Sequence, residues 1–178
     1  MNESNLWFSI SASELENAHV GDVLGTAENV VGRKIAVSAL QITTVRAKPG
    51  YKIIFSINEA SNSEGKASIH SIRMSREQIN RMVRHNISKM DIVVPVKVEG
   101  RSYAVKVVCV INKAKNRYKK AIRNEVKELL TKEAKDISVK DMFINALTNK
   151  TQNSMHKAVT KIYPTRAIEV RAIVPKIK

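Results

Sequence analysis

Between Lys113 and Arg123 lies the densest chemistry of the chain. Lys113, Lys115, Arg117, Lys119, Lys120 and Arg123 put six cations into eleven residues, with Tyr118 embedded among them. Ammonium and guanidinium groups at this spacing do no covalent chemistry unaided, but they bind phosphate. Tyr118, Ile122, Val126, Leu129 and Leu130 recur at helical spacing and predict a long helix over about 116–135. The cations therefore cover the loop before that helix and its first turns. Positive charge there opposes the helix dipole, and stability alone would place Asp or Glu at this end. The free N–H groups of the same end bind phosphate well. The run reads as a nucleic-acid contact, set against the plainer alternative of a solvated charged face.

Other chemistries find little support. His19, His70, His85 and His156 lie on different elements with no ligand spacing between them, and the single Cys109 rules out both a zinc finger and an internal disulfide. Cys109 sits inside an apolar run and reads as a core residue. Glu125 and Glu128 alternate with Lys127 and Lys132, which is ordinary helix-surface pairing. Gly21 and Gly25 are not followed by the Lys-Ser/Thr of a phosphate loop. The expectation is a non-enzyme with no cofactor and no metal. Single-strand RNA platforms need several exposed aromatics. The chain has only eight aromatics, and Tyr51, Phe55, Tyr103 and Phe143 fall in core patterns, leaving Tyr118 as the one good stacking candidate. The expected target is folded RNA, held by phosphate and shape.

Charge along the chain points the same way. Residues 1–32 contain no Lys or Arg but five acids, Glu3, Glu14, Glu16, Asp22 and Glu28, whereas residues 33–178 sum to +20. Such a field adds self-repulsion to a compact protein, so it implies an external polyanion, with an anionic membrane as the competitor. A membrane-surface helix would show Trp, Phe or Leu opposite its basic residues. The apolar stripe here is Ile, Met and Val, so no membrane partner is expected. The apolar fraction of 43% fits a folded core. No run approaches a membrane span and no signal-peptide pattern opens the chain, which reads as intracellular and reduced.

The elements that must position the cations can be read in turn. We expect an acidic N-terminal segment, 1–32, docking on a basic domain, 33–178. Trp7 and Phe8 would enter a groove on that body, with a partner contact as the alternative. Ile35, Val37 and Ala39 alternate, then switch phase at Leu40 and Ile42, suggesting a bulge or a strand that curves between two core faces. Pro49-Gly50 turns into the strand face Tyr51, Ile53, Phe55, Ile57. A polar loop, 58–65, and a weaker strand around 67–73 follow. Ser75 and Gln78 form a capping box opening a helix over 75–89, with Ile79, Met82, Val83, Ile87 and Met90 on its apolar stripe. Arg81, Arg84, His85 and Lys89 lie opposite. With Glu99-Gly100 as a two-residue turn, Val96 pairs with Tyr103, Val94 with Val105 and Ile92 with Val107, and Pro95 marks a free edge. The long helix, a Ser138-capped helix, a helix ending at Tyr163-Pro164 and a last strand over 168–174 complete the chain. The expected class is α+β: an antiparallel sheet or barrel-like body of about six strands with about four helices against it.

The ordered set of Val31-Gly32-Arg33-Lys34-Ile35-Ala36-Val37-Ser38, the capped helix, the Glu-Gly hairpin, the Lys113–Arg123 run and Lys161-Ile162-Tyr163-Pro164 resembles one family. It is the archaeal and eukaryotic small-subunit ribosomal protein family eS-one, or S-three-a-e. The similarity spans nearly the whole chain, including Trp7-Phe8. It implies a β-barrel-like body with helices, a place on the small-subunit platform near the mRNA exit, rRNA and neighbouring platform proteins as partners, and no catalysis. Contact with mRNA itself is left open. Ser75-Arg76-Glu77 replaces the usual Thr-Arg-Asp, and a lysine-rich N-terminal extension is missing, as in an archaeal-like or reduced version.

The expected function is therefore a structural, rRNA-binding constituent of the small ribosomal subunit in the cytoplasm. The alternative is a free-standing RNA-binding regulator or chaperone. Arg73, Arg76, Arg81, Arg84, His85 and Lys89 would form one RNA-contacting face. Lys113, Lys115, Arg117, Tyr118, Lys119, Lys120 and Arg123 would form the other.

Overall fold

In the computed structural model, which describes residues 6–42, 47–61, 63–83 and 87–176, a turn at Glu99-Gly100 joins β6 (Ser88–Val98) to β7 (Arg101–Ile111). Val96 faces Tyr103, Val94 faces Val105 and Ile92 faces Val107, the register that the apolar pairing predicts. Both turn residues take positive φ, 48° at Glu99 and 77° at Gly100, as a two-residue turn matched to strand twist requires. β8 (Thr165–Pro175) pairs antiparallel with β7, so the order is β6-β7-β8. Pro95 is exposed on β6, the edge of this ladder, where its missing N–H leaves no acceptor unfilled.

The chain divides into two compact units, residues 1–72 and 73–178. In the second, α3 (Asn116–Glu133), α4 (Val139–Leu147) and α5 (Lys150–Ile162) bury Ile122, Val126 and Leu130, then Phe143, Ala146 and Leu147, then Met155 and Val159. Ile122, Val126 and Leu130 belong to the stripe predicted for the long helix, and the residues buried by α4 and α5 recur at the same helical spacing. Phe143 of α4 meets Tyr103 of β7 edge to face, with centroids 5.9 Å apart, which seats α4 on that face of the strands. Leu130 of α3 and Ala146 of α4 close a small apolar cavity with Val96, Val105, Val170 and Ile173.

The first helix is shorter than its capping box and stripe suggest. Ser75 does accept a hydrogen bond from the Gln78 N–H at 3.3 Å, but α2 spans only Arg76–Met82 and Val83 is already extended. The stripe beyond it belongs to a strand. Met90 pairs with Cys109, and Ser88 pairs with Ile111. The period-two run from Met90 to Val98 captures the chain as far back as Ser88, and the ladder with β7 outweighs helical spacing.

The first unit contains β1 (Leu6–Ala12), β2 (Ala18–Gly25), the one-turn α1 (Ala27–Val30), β3 (Lys34–Ser38), β4 (Tyr51–Ser61) and most of β5 (Glu64–Met74). Their order is β2-β1-β5-β4-β3, with β1 and β5 parallel. The described strands thus number eight rather than about six, and neither order returns on itself as a barrel. The α+β class with an antiparallel sheet stands; the barrel-like alternative does not. Both unforeseen strands lie in the acidic segment, where β1 buries only Phe8, Ile10 and Ala12 and the ladder slips between Ile10 and Ser11. Trp7 and Phe8 part company there: alternation leaves Phe8 3% exposed and Trp7 64% exposed.

Two further readings are corrected. The phase switch after Ala39 is a 3-10 turn over Ala39–Gln41 rather than a bulge or a curving strand, so Leu40 points to solvent and Ile42 inward. The polar stretch 58–65 is mostly strand, because Asn58 and Ser68 hydrogen-bond to each other across β4 and β5 and need no loop to satisfy them. Tyr51, Ile53, Phe55 and Ile57 are buried on one face of β4, as the sequence predicts. Among the described residues, no helix is long and apolar enough to cross a membrane.

Candidate nucleic-acid interface

Three of the chain's helices open on different terms, and the contrast defines the site. At α2 and α4 a serine caps the helix, Ser75 accepting from the Gln78 N–H and Ser138 from the Asp141 N–H, with Glu77 or Asp141 in the first turn. At α3 the N-cap is Lys115, which makes no capping hydrogen bond, and the first turn contains no acid. α5 also opens uncapped and without an acid, but on the single cation Lys150, so the load of cations is what sets α3 apart. A lysine has no acceptor to offer, so the helix forgoes a cap worth about 1 kcal/mol. Lys113, Lys115, Arg117, Lys120 and Arg123 are exposed, and Lys119 is half-buried. None lies on the buried stripe Ile122, Val126, Leu130.

The loop that carries the start of this run is braced from α5 and β8. The Tyr163 hydroxyl donates to the Lys113 carbonyl at 2.9 Å, and Arg166 Nε donates to Asn112 Oδ1 at 3.1 Å. Tyr118 is half-buried against Tyr163, with ring centroids 5.2 Å apart. Arg117 donates to the Tyr118 hydroxyl at 2.7 Å, and its guanidinium carbon sits 4.7 Å from the ring centroid. Tyr118 therefore already has aromatic and cationic partners within the protein. The arrangement presents phosphate-binding groups at fixed spacing more than it presents a bare stacking surface.

The other residues expected to meet RNA are distributed differently. Arg73 is the last residue but one of β5, Arg76 opens α2, and Arg81 is exposed in the last turn of α2. Lys89 is on strand β6 rather than on a helix, because the strand begins at Ser88; its Nζ lies 3.3 Å from Asp91. Arg84 and His85 lie outside the described residues. Arg73 and Arg76 share a groove with Lys106 and Arg171, two cations that sequence reading passed over. Isolated charges on alternating strands draw no notice, and only their shared face could have marked them.

The field has a definite address. The unit 73–178 carries 25 basic against nine acidic side chains, +16, while residues 1–72 carry six against seven, −1. All of the excess positive charge thus belongs to the unit that holds α3.

Residues 4–175 match the profile of the Ribosomal S3Ae family. The chain belongs to that family. Its relatives include the small ribosomal subunit protein eS1 of Archaeoglobus fulgidus, 25% identical over 94% of this chain and 82% of that protein. The protein of the same name from Nanoarchaeum equitans is 26% identical over 93% of this chain and 86% of its own length. That of Thermoplasma acidophilum is 27% identical over 93% and 79%.

Membership makes this a ribosomal protein and not an enzyme, as the residue chemistry led us to expect. The residues of this S3Ae chain agree with that. Cys109 is fully buried on β7, and burial pushes its thiol up to about 12, so it stays protonated and inert as a nucleophile.

Proposed function

We propose that this chain is a structural constituent of the small ribosomal subunit in the cytoplasm, and that it grips rRNA through the opening of α3. The observation that carries the proposal is the concentration of six exposed or half-buried cations on the loop and first turns of α3, at a helix end where the dipole favours acids. Relatives named as small ribosomal subunit proteins support the assembly, and the family resemblance supports a place on the platform near the mRNA exit. Arg73, Arg76 and Arg81 would add a second set of phosphate contacts. The acidic segment would face a neighbouring platform protein, since exposed Trp7 and Leu24 stand opposite each other on β1 and β2 with Asp22 nearby on the same face. Folded RNA would be held by phosphate and shape, because every aromatic except Trp7 is a core ring or one of the Tyr118–Tyr163 pair.

The test replaces Lys115, Arg117, Lys119 and Lys120 together with Gln. The variant should melt no lower than the parent, and relief of the opposed dipole should add up to about 1 kcal/mol. Co-expressed with the parent, it should be depleted from small subunits on density gradients, and RNase should release the parent from those fractions. Equal incorporation of variant and parent would make the run a solvated surface. A parent that never sediments with subunits would point instead to a free-standing RNA-binding regulator.

A further inference from the structure

On the strands of the 73–178 unit, α3 and α4 take one face and a second cationic centre, closed at its side by α2, takes the other. Val105 and Val170 line the apolar cavity beneath α3 and α4, so Lys106, the next residue of β7, projects to the opposite face. β8 reaches that face through an irregularity. Lys106 pairs with Ala172 and Val107 with Val170, which leaves Arg171 as an extra, bulged residue. A bulge re-aims side chains, and here both Arg171 and Ala172 turn outward while Val170 and Ile173 stay in. Arg73, Arg76, Lys106 and Arg171 thereby rim one open groove of about 280 Å³, floored by Met74, Ile79, Ala172 and Val174.

Charge in the groove is far from balanced. Arg171 Nη1 lies 3.6 Å from Asp91 Oδ1, and the same carboxylate serves Lys89 at 3.3 Å. Among the described residues no carboxylate pairs with Arg73, Arg76 or Lys106. Four like charges over an apolar floor repel one another through a medium less polar than water, which disfavours the fold unless an anion joins them. Guanidinium forks suit phosphate oxygens, and an open groove suits a continuous backbone better than an enclosed small molecule.

We infer that this groove, between α2 and the sheet face away from α3 and α4, is a second phosphate site that takes an RNA backbone. Lys106 and Arg171 are its central contacts, and Asp91 is an internal anion that the incoming phosphate displaces from Arg171. The inference rests on the RNA-binding function proposed above and names residues outside the α3 run.

The experiment measures binding of the full chain to a fluorescent A-form RNA hairpin across a salt series. Lys106→Gln with Arg171→Gln should weaken binding by about tenfold and flatten the log–log salt slope by about two, one for each phosphate that the variant no longer neutralises. Lys127→Gln with Lys132→Gln removes the same charge from exposed positions of α3 beyond the run, and should change the slope little. Asp91→Asn should tighten binding. Should the double variant fail to fold by circular dichroism, Lys106→Gln alone should flatten the slope by about one. Equal losses in the groove and control variants would reduce the effect to net charge and overturn the site. A groove variant that binds like the parent, while the four-fold α3 variant is weakened, overturns the groove and leaves the proposed function standing. If neither variant binds more weakly, the RNA reading itself falls. Competition by inorganic pyrophosphate at equimolar RNA would reassign the groove to small polyphosphates.

Discussion

Glu133, near the end of α3, shows how a single carboxyl can work against the fold that contains it. It lines the apolar cavity with Leu130, Ile137 and Met142. Burial raises its pKa above the usual carboxylate value, and a hydrogen bond with the Ser154 side chain pulls it partly back. A raised folded-state value means that protonation favours the fold. The contribution is fully present below the unfolded pKa and is lost as pH rises through the folded one. At neutral pH the ionised Glu133 is therefore a burden. Glu133→Gln, which keeps a group able to bond Ser154, should raise the melting temperature at pH 7, and the gain should vanish as the pH falls below the ordinary carboxylate range. Equal melting of variant and parent at pH 7 would show that the carboxyl is solvated after all.

At the scale of elements, legibility followed how far a residue's neighbours could be read from the chain itself. The β6–β7 hairpin was readable because both partners and their turn are contiguous, so apolar pairing tests the register directly. The helices α3, α4 and α5 were readable because each carries its own stripe and stop. β1 and β2 were not. They too are contiguous, but the ladder slips between Ile10 and Ser11 and β2 buries only Val20 and Gly25, so no run of apolar pairs is left to test. The second partner of β1, β5, lies more than fifty residues on. Lys89 failed for a related reason: helical spacing and strand alternation overlap around Met90, and only the distant β7 decides between them. For the candidate site, the α3 run was visible as composition, but its braces at Tyr163 and Arg166 and the grouping of Lys106 with Arg171 needed the fold. The hairpin turn also offers a clean test of local strain. Glu99 holds φ at 48°, a left-handed value that a side chain such as Asn tolerates better than Glu. Glu99→Asn should stabilise the protein by about 0.5–1 kcal/mol. A Cβ on Gly100 would meet nothing within 4 Å, so Gly100→Ala should cost only backbone strain, about 1 kcal/mol. Urea unfolding of both variants reads the two values; a destabilised Glu99→Asn would mean that the Glu side chain makes a compensating contact.

For the molecule as a whole, the separation of charge between the units determines how salt should act. The unit of residues 73–178 holds a net +16 and the unit of residues 1–72 a net −1, so counter-ions gather on one and hardly on the other. RNA that replaces those counter-ions releases them, and binding then weakens linearly on a log–log plot. With about six phosphate contacts the slope should be of order −5, taking the duplex coefficient of roughly −0.9 per contact. The same logic makes the first unit a built-in comparison. Lys34 and Lys52 are exposed and face each other's strands across the β3–β4 ladder, outside both proposed contact surfaces. Replacing both with Gln lowers the net charge by two, as the groove variant does, yet it should leave the slope within error of the parent. The slope counts phosphates in contact, whereas total charge mainly shifts the long-range field, which salt screens within about 10 Å at 0.1 M. An affinity that ignores salt would remove the phosphate grip altogether. A slope that falls equally whichever two lysines are replaced would spread the grip over the whole surface and leave α3 no special claim to it.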